Sequence, residues 1–235
     1  MSLPLVSAVI PVYNGERYLA ETLQSVLSQD YPELEIVVVD DGSVDGTAAI
    51  ARGFKQVRYV YRTNQGQATA RNEGITVSSG ELLAFLDADD LWTPNKLSTQ
   101  VNYMLEHPDV GYTLARQSLF MEPGTDVPAW LREDLLHGDH VGFFPSTLVA
   151  WRWVFEQIGF YDPSFRIGES ADWFARAKDA GIAMEIVPAV LLNKRVHGDN
   201  LTHNLQTSRA DIFRALRESI RRQRQADITP DRSDE

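Results

Sequence analysis

Two groups of carboxylates stand directly behind apolar runs. Ile36-Val37-Val38-Val39 leads into Asp40-Asp41-Gly42-Ser43, and Leu83-Ala84-Phe85-Leu86 leads into Asp87-Ala88-Asp89-Asp90. Like charges crowded together are costly unless a cation neutralises them, and a divalent ion with oxygen ligands is the usual solution. Acidic turn residues can also cap the helices that follow, which accounts well for Ser43 and Asp45. It does not account for five carboxylates at the ends of two strands. A nucleotide could be held here without a glycine cradle. Asp40 could accept from a base N–H and Asp87 from ribose hydroxyls, while Asp89 could bind a metal that bridges two phosphates. Neither G-x-G-x-x-G after the first strand nor G-x-x-x-x-G-K-[ST] is present.

The elements that must position these groups follow from periodicity. Strands are expected at Val6–Pro11, Glu35–Val39, Val57–Tyr61 and Leu82–Leu86, with helices at Gly15–Ser28, Ser43–Arg52 and Gln67–Thr76 between them. Such alternation predicts an α/β fold with parallel pairing and helices on both sheet faces. Ligands then bind at the carboxyl ends of the strands, where both acidic groups fall. Further on, Pro94–Leu105 reads as a helix and Val110–Phe120 as a strand. The stretch from Glu122 to His140 reads as an irregular loop near the site. Short helices are expected at Val154–Ile158 and Asp172–Ala180, then an extended stretch Met184–Val196 broken at Pro188. The expected organisation is one domain over residues 1–204, divided into a nucleotide-binding half (1–92) and an acceptor half (93–204). A basic amphipathic helix and polar tail occupy 205–235.

The 235 residues carry 33 acidic and 22 basic side chains, a net charge of −11, which disfavours a nucleic-acid partner. The absence of cysteine removes disulfides, thiolate metal sites and thiol nucleophiles. No apolar run reaches the length of a membrane span, and the first residues lack a signal-peptide pattern, so a cytoplasmic location is expected. Charge is uneven: Arg209, Arg214, Arg217, Arg221, Arg222 and Arg224 face only Asp211 and Glu218 between residues 205 and 225. That segment places Ile212, Phe213, Leu216 and Ile220 on one face. Two readings stay open: contact with an anionic membrane, at its inner face, or packing against the acidic body or a second subunit as a homodimer.

Four motifs in order (Pro11-Val12-Tyr13-Asn14; Val38-Val39-Asp40-Asp41-Gly42-Ser43; Asn64-Gln65-Gly66 with Ala70-Arg71-Asn72; Phe85-Leu86-Asp87-Ala88-Asp89-Asp90) resemble those of family 2 glycosyltransferases. The resemblance implies a GT-A fold and a nucleotide-diphosphate sugar donor, with a UDP-sugar favoured. It also implies Mg²⁺ or Mn²⁺ as cofactor, and inversion at the anomeric carbon. Carried over residue by residue, Pro11, Tyr13 and Asp40 hold the base, Asn64 and Arg71 line the donor site, Asp87 meets the ribose and Asp89 the metal. Arg195-Val196-His197 with Asn200 and Thr202 resembles a late motif of the family. His197 then completes the metal shell or touches the diphosphate, with Arg195 nearby. The acceptor is a carbohydrate or lipid-linked hydroxyl, as in polysaccharide or glycolipid synthesis.

The general base is the point of departure. Family members carry a pattern like E-D-x-D-L-W-x-R, and this chain reads Glu169-Ser170-Ala171-Asp172-Trp173-Phe174-Ala175-Arg176. Serine stands where the basic aspartate is usual, leaving Glu169 and Asp172 as catalytic candidates, with Glu169 preferred. The alternative is a catalytically degenerate nucleotide-sugar-binding or scaffold protein. A phosphoryl-receiver domain lacks its later lysine here. An aspartyl-nucleophile phosphatase and a G-x-S-x-G hydrolase each miss a required residue.

Overall fold

A computed structural model of the chain describes residues 2–122, 124, 127, 128, 131, 133–165, 167–197 and 205–228; for residues 133, 134, 205–209 and 226–228 it describes the backbone. The first half alternates as the periodicity predicts: β1 (Val6–Val12), α1 (Leu19–Leu27), β2 (Leu34–Asp40), α2 (Thr47–Gly53), β3 (Val57–Tyr61), α3 (Gln67–Val77) and β4 (Leu82–Phe85). The α2 helix starts later than expected, with Gly46 at its N-cap and no side-chain cap bond; Asp45 Oδ1 accepts the Thr47 N–H at 3.0 Å from the position before the cap, and Ser43 lies outside the helix. The second half comprises β5 (Leu91–Trp92), α4 (Lys96–Glu106), β6 (Val110–Met121), β7 (His140–Val141), β8 (Val149–Trp151), α5 (Arg152–Ile158), α6 (Glu169–Asp179), β9 (Ala183–Val196) and α7 (Leu205–Ile228). Among the described residues of the 122–140 loop there is one 3₁₀ turn, Glu133–Leu136, and the first residue of β7.

The sheet runs β3-β2-β1-β4-β8-β6-β9-β5, with β7 on β6. The β3-β2-β1-β4 block is parallel throughout. Beyond it β8 pairs antiparallel with both β4 and β6, and β6 and β9 run parallel. Because β2 and β4 flank β1 on opposite sides, the winding reverses at β1, and a crevice opens at the carboxyl ends there.

Strand side chains alternate between two cores. Val6, Ala8, Ile10 and Val12 of β1, with Leu82 and Ala84 of β4, meet Leu19 and Leu23 of α1 and Leu97, Val101 and Met104 of α4. Val9, Leu83 and Phe85 point the other way, onto Ile75 of α3, Val154 and Phe155 of α5, and Trp173 and Ala177 of α6. Period-two alternation with both faces apolar is what a sheet covered on two sides requires. Gly74 marks the closest approach of α3 to β1, since a Cβ there would collide with Val9.

One expectation is corrected. Pro188 does not break the extended stretch: β9 is continuous, and pairing with β6 jumps from Ala115↔Val187 to Arg116↔Val190. The irregularity leaves Pro188 and Ala189 out of the ladder, so the missing proline N–H costs no hydrogen bond. The C-terminal helix, whose partner the sequence leaves open, packs on α6 through Ala215 and Ser219, while Ile212, Phe213, Leu216 and Ile220 are all exposed. Among the described residues no helix is long and apolar enough to cross a membrane.

Candidate functional site

The turns after β1 and β2 are tied to each other. Asn14 adopts φ 50°, a left-handed conformation that asparagine tolerates well, and its N–H donates to Ser43 Oγ at 2.8 Å. Its Oδ1 accepts the Val44 N–H at 3.0 Å. Tyr13, just before it, is 55% exposed at the rim, whereas Pro11 is buried. Asn64 lies against Gly42, whose φ of 88° and lack of a Cβ permit the approach.

Asp40 and Asp41 hold this rim together. Asp40 is wholly buried; Oδ1 accepts the Ser43 N–H at 2.8 Å and Oδ2 the Tyr59 hydroxyl at 2.6 Å. Each oxygen thus accepts one bond and retains a second lone pair. Asp41 accepts the Gly66 N–H at 2.7 Å and pairs with Arg62 at 3.3 Å, fixing the loop that leads into α3. Neither Tyr59 nor Arg62 is marked by the motifs. Only the pairing of β2 with β3 brings them in.

A buried arginine then joins the two halves. Arg71, on α3 and 2% exposed, donates to Asp87 Oδ1 at 2.7 Å through Nη2 and to Glu169 Oε1 at 2.6 Å through Nη1. Gln67, one turn earlier, donates to the same Glu169 oxygen at 2.8 Å. Glu169 opens α6 and is also 2% exposed; its second oxygen, Oε2, is buried with no partner among the described residues. Burial raises the Glu169 pKa above the ordinary glutamate value, against the opposing charge of Arg71. Asp172, on the next turn, pairs instead with Arg176 at 2.8 Å and faces Arg222 of α7 at 3.9 Å. Its bonds serve the junction of α6 with α7, so the two catalytic candidates are not brought together.

The acidic end of β4 meets the end of β9. His197 Nε2 lies 3.0 Å from Asp89 Oδ2. Arg195 donates from Nε to the Asp89 carbonyl at 2.9 Å, from its backbone N–H to Asp90 Oδ1 at 2.9 Å, and from Nη2 to Glu21 at 2.6 Å. Lys194 pairs with Asp90 at 3.2 Å. Burial pushes the Asp90 carboxyl up to about 7, with Lys194 opposing and Asp89 and Asp87 adding to the rise. Burial also works against ionisation of Asp89, yet the His197 hydrogen bond and the Lys194 charge bring its pKa below the ordinary value. Asp90 stands in the carboxylate group that the sequence marks, but Lys194 stands in none of the motifs. A signal was available, since a third aspartate behind an apolar strand needs a counter-charge when buried.

Asp89 and His197 form an oxygen-and-nitrogen donor pair beside Asp87, which is partly exposed. Among the described residues no group of three or more His, Cys, Asp or Glu stands ready for a metal. The expected trio Asp89, Asp87 and His197 is therefore not assembled as a closed cage. Two protein donors fit Mg²⁺ or Mn²⁺ nonetheless, because such ions are commonly held by one or two carboxylates together with substrate phosphates and water. The later part of the Arg195 motif, from Gly198 to Thr202, lies outside the described residues.

Comparison with known proteins agrees with this arrangement. The profile of "Glycosyl transferase family 2" matches residues 7–171. The chain belongs to that family. It is 34% identical over 233 residues to an uncharacterized glycosyltransferase of Rickettsia typhi, covering 91% of this chain and 70% of that one. A Bacillus subtilis glycosyltransferase assigned to teichuronic acid biosynthesis is 36% identical over 143 residues, 58% of this chain and 56% of that protein. Among solved structures, S. aureus TarS 1–349 in complex with UDP-GlcNAc superposes with a TM-score of 0.75 at 21% identity, over 93% of this chain and 66% of that one. The mannosyltransferase PcManGT of Pyrobaculum calidifontis, in complex with GDP-Man and Mn²⁺, gives 0.72 at 23% identity, over 94% and 65%. These likenesses establish the GT-A fold. The chain spans about two thirds of the length of several of these relatives.

Proposed function

We propose that this family 2 glycosyltransferase moves a sugar from a nucleotide-diphosphate donor to an acceptor hydroxyl with inversion, and that Glu169 is the general base. The observation that carries the reading is the Arg71 bridge. One guanidinium orients both Asp87, on the donor side, and Glu169, at the mouth of α6, and leaves Glu169 Oε2 without a partner. That oxygen is the proton acceptor, and its raised pKa makes it a stronger base than an exposed glutamate. Ser170 cannot take this part at neutral pH. Asp172 is engaged by Arg176, which leaves it the role of anchoring α6.

The donor lies along the strand ends, its base against exposed Tyr13 and over Pro11, Asp40 and Asn64, and its ribose at Asp87. A divalent ion held by Asp89 and His197 would supply Lewis-acid stabilisation of the departing diphosphate. Lys194 and Arg195 hold Asp90 and Asp89 in place for it. The acceptor hydroxyl gives its proton to Glu169 as its oxygen attacks the sugar C1 from the face opposite the diphosphate. Support for a nucleotide sugar comes from neighbours that bind UDP-GlcNAc and GDP-Man. The B. subtilis relative supports a cell-surface polysaccharide or a lipid-linked precursor as acceptor.

Calorimetry with UDP, GDP, TDP and CDP, with and without Mn²⁺, tests the donor site. One diphosphate binds in a metal-dependent way, and Asp89→Asn abolishes the metal dependence. Binding of none of them would favour a degenerate scaffold.

A further inference from the structure

The α7 helix carries a surface that nothing in the donor site uses. Ile212, Phe213, Leu216 and Ile220 are 45%, 66%, 53% and 51% exposed, and at helical spacing they fill an arc of about 100°. Arg217, Arg221 and Arg224, all exposed, lie along one border of that arc, and none has an ion-pair partner among the described residues. The other border runs into the face packed on the body, where Ala215 and Ser219 are buried. There Ser219 Oγ donates to Asp179 at 2.8 Å and Arg222 Nε to the same carboxylate at 2.8 Å. The helix is thus anchored by one face while an apolar stripe and a row of arginines face outward together. Contiguous exposed apolar surface of this kind marks an interaction site.

We propose that this stripe seats on an anionic lipid surface, with its apolar residues in the acyl boundary and its arginines at the headgroups. Charge decides between occupants. Residues 205–225 carry six arginines against Asp211 and Glu218 while the chain as a whole carries a net −11, so an anionic surface is met at this helix and the contact orients the molecule. A two-fold antiparallel contact between two copies through the stripe would set the two arginine rows side by side, a repulsive arrangement. The orientation has a use. The Ile167 N–H donates to Asp211 Oδ2 at 3.1 Å, and Gly168 lies against Asp211, where a Cβ would come within 2.6 Å. The first turns of α7 therefore hold the residues just before Glu169, and a membrane-seated α7 presents the acceptor side of the site to the lipid surface.

Flotation of the full chain with vesicles tests this. Phosphatidylcholine vesicles containing a quarter phosphatidylglycerol are expected to carry the protein, phosphatidylcholine alone much less, and added salt should reduce binding. Phe213→Ser with Leu216→Ser should lower the bound fraction about tenfold or more. Arg217→Gln with Arg221→Gln should lower it on anionic vesicles only. These arginines are fully outward, so this second variant keeps the fold if the first does not. Flotation that is negligible, or unchanged by both variants, overturns the proposal. So does a concentration-dependent dimer in light scattering that the Phe213 and Leu216 changes dissolve in the absence of vesicle binding.

Discussion

At the scale of single residues the chemistry turns on Glu169. Its carboxyl must be ionised to accept a proton, and burial raises its pKa. The acidic limb of kcat/KM is therefore expected above the range of an ordinary glutamate, with the rate rising with pH to a plateau. Glu169→Gln should remove that limb and cost about 10²–10⁴-fold in kcat. Arg71→Met should shift the limb further towards neutral pH, because the Arg71 charge is what opposes the rise, and a pH–rate series on both variants checks the order. Much of this site could be seen in the sequence: Asp87, Asp89, Glu169, Arg195 and His197 stand in recognisable patterns. Their partners could not. Gln67 and Glu169 are 102 positions apart, and Arg195 and Glu21 are 174 apart; such pairs follow from how elements stack. The same holds at Asp40, which stands in a readable pattern while its partner Tyr59 is supplied only by the pairing of β2 with β3.

At the scale of elements, what positions Arg71 is the contact of α3 with β1. Gly74 sits one turn beyond Arg71, and a methyl group there would strike Val9. Gly74→Ala should destabilise the protein by about 1–3 kcal/mol through overpacking. It should also weaken nucleotide binding where α3 shifts to relieve the clash and carries Arg71 with it; denaturant melts and calorimetry measure the two effects. The alternating first half was readable because a doubly covered parallel sheet writes continuous apolar runs, each followed by a 3.6-residue period. In the second half α4, β6, α5, α6 and β9 were readable in the same way, but β5, β7 and β8 were not, because they have two or three residues each, too few for a pattern. The direction of the α7 face was left open for another reason. Periodicity locates an apolar stripe but does not say which way it points, and the small residues Ala215 and Ser219 pack closer to α6 than the large ones could.

At the scale of the molecule, one buried cation reports on the core between α4 and the sheet. Lys96 is fully buried, donates to Gln100 and to the Thr147 carbonyl, and lies 5.1 Å from the Trp92 ring centre. Burial lowers its pKa to about 7, so above that the folded chain holds it neutral while the unfolded chain keeps it charged up to about 10.4. The unfolded state then binds more protons, and stability gains up to about 1.4 kcal/mol per pH unit across that window. Unfolding of wild type beside Lys96→Met should show the wild type gaining on the variant from pH 7 to pH 10. The junction of β4 with β9 has a consequence of a different kind. Asp90 is complete early in synthesis, whereas its partners Lys194 and Arg195 come 104 and 105 residues later. Until they arrive, the growing chain must either bury an uncompensated acid or leave that strand end open. The donor crevice therefore closes late as the chain is made, only once β9 has been added. A chain stopped before residue 190 should remain sensitive to protease around Asp90, even with its first four strands in place.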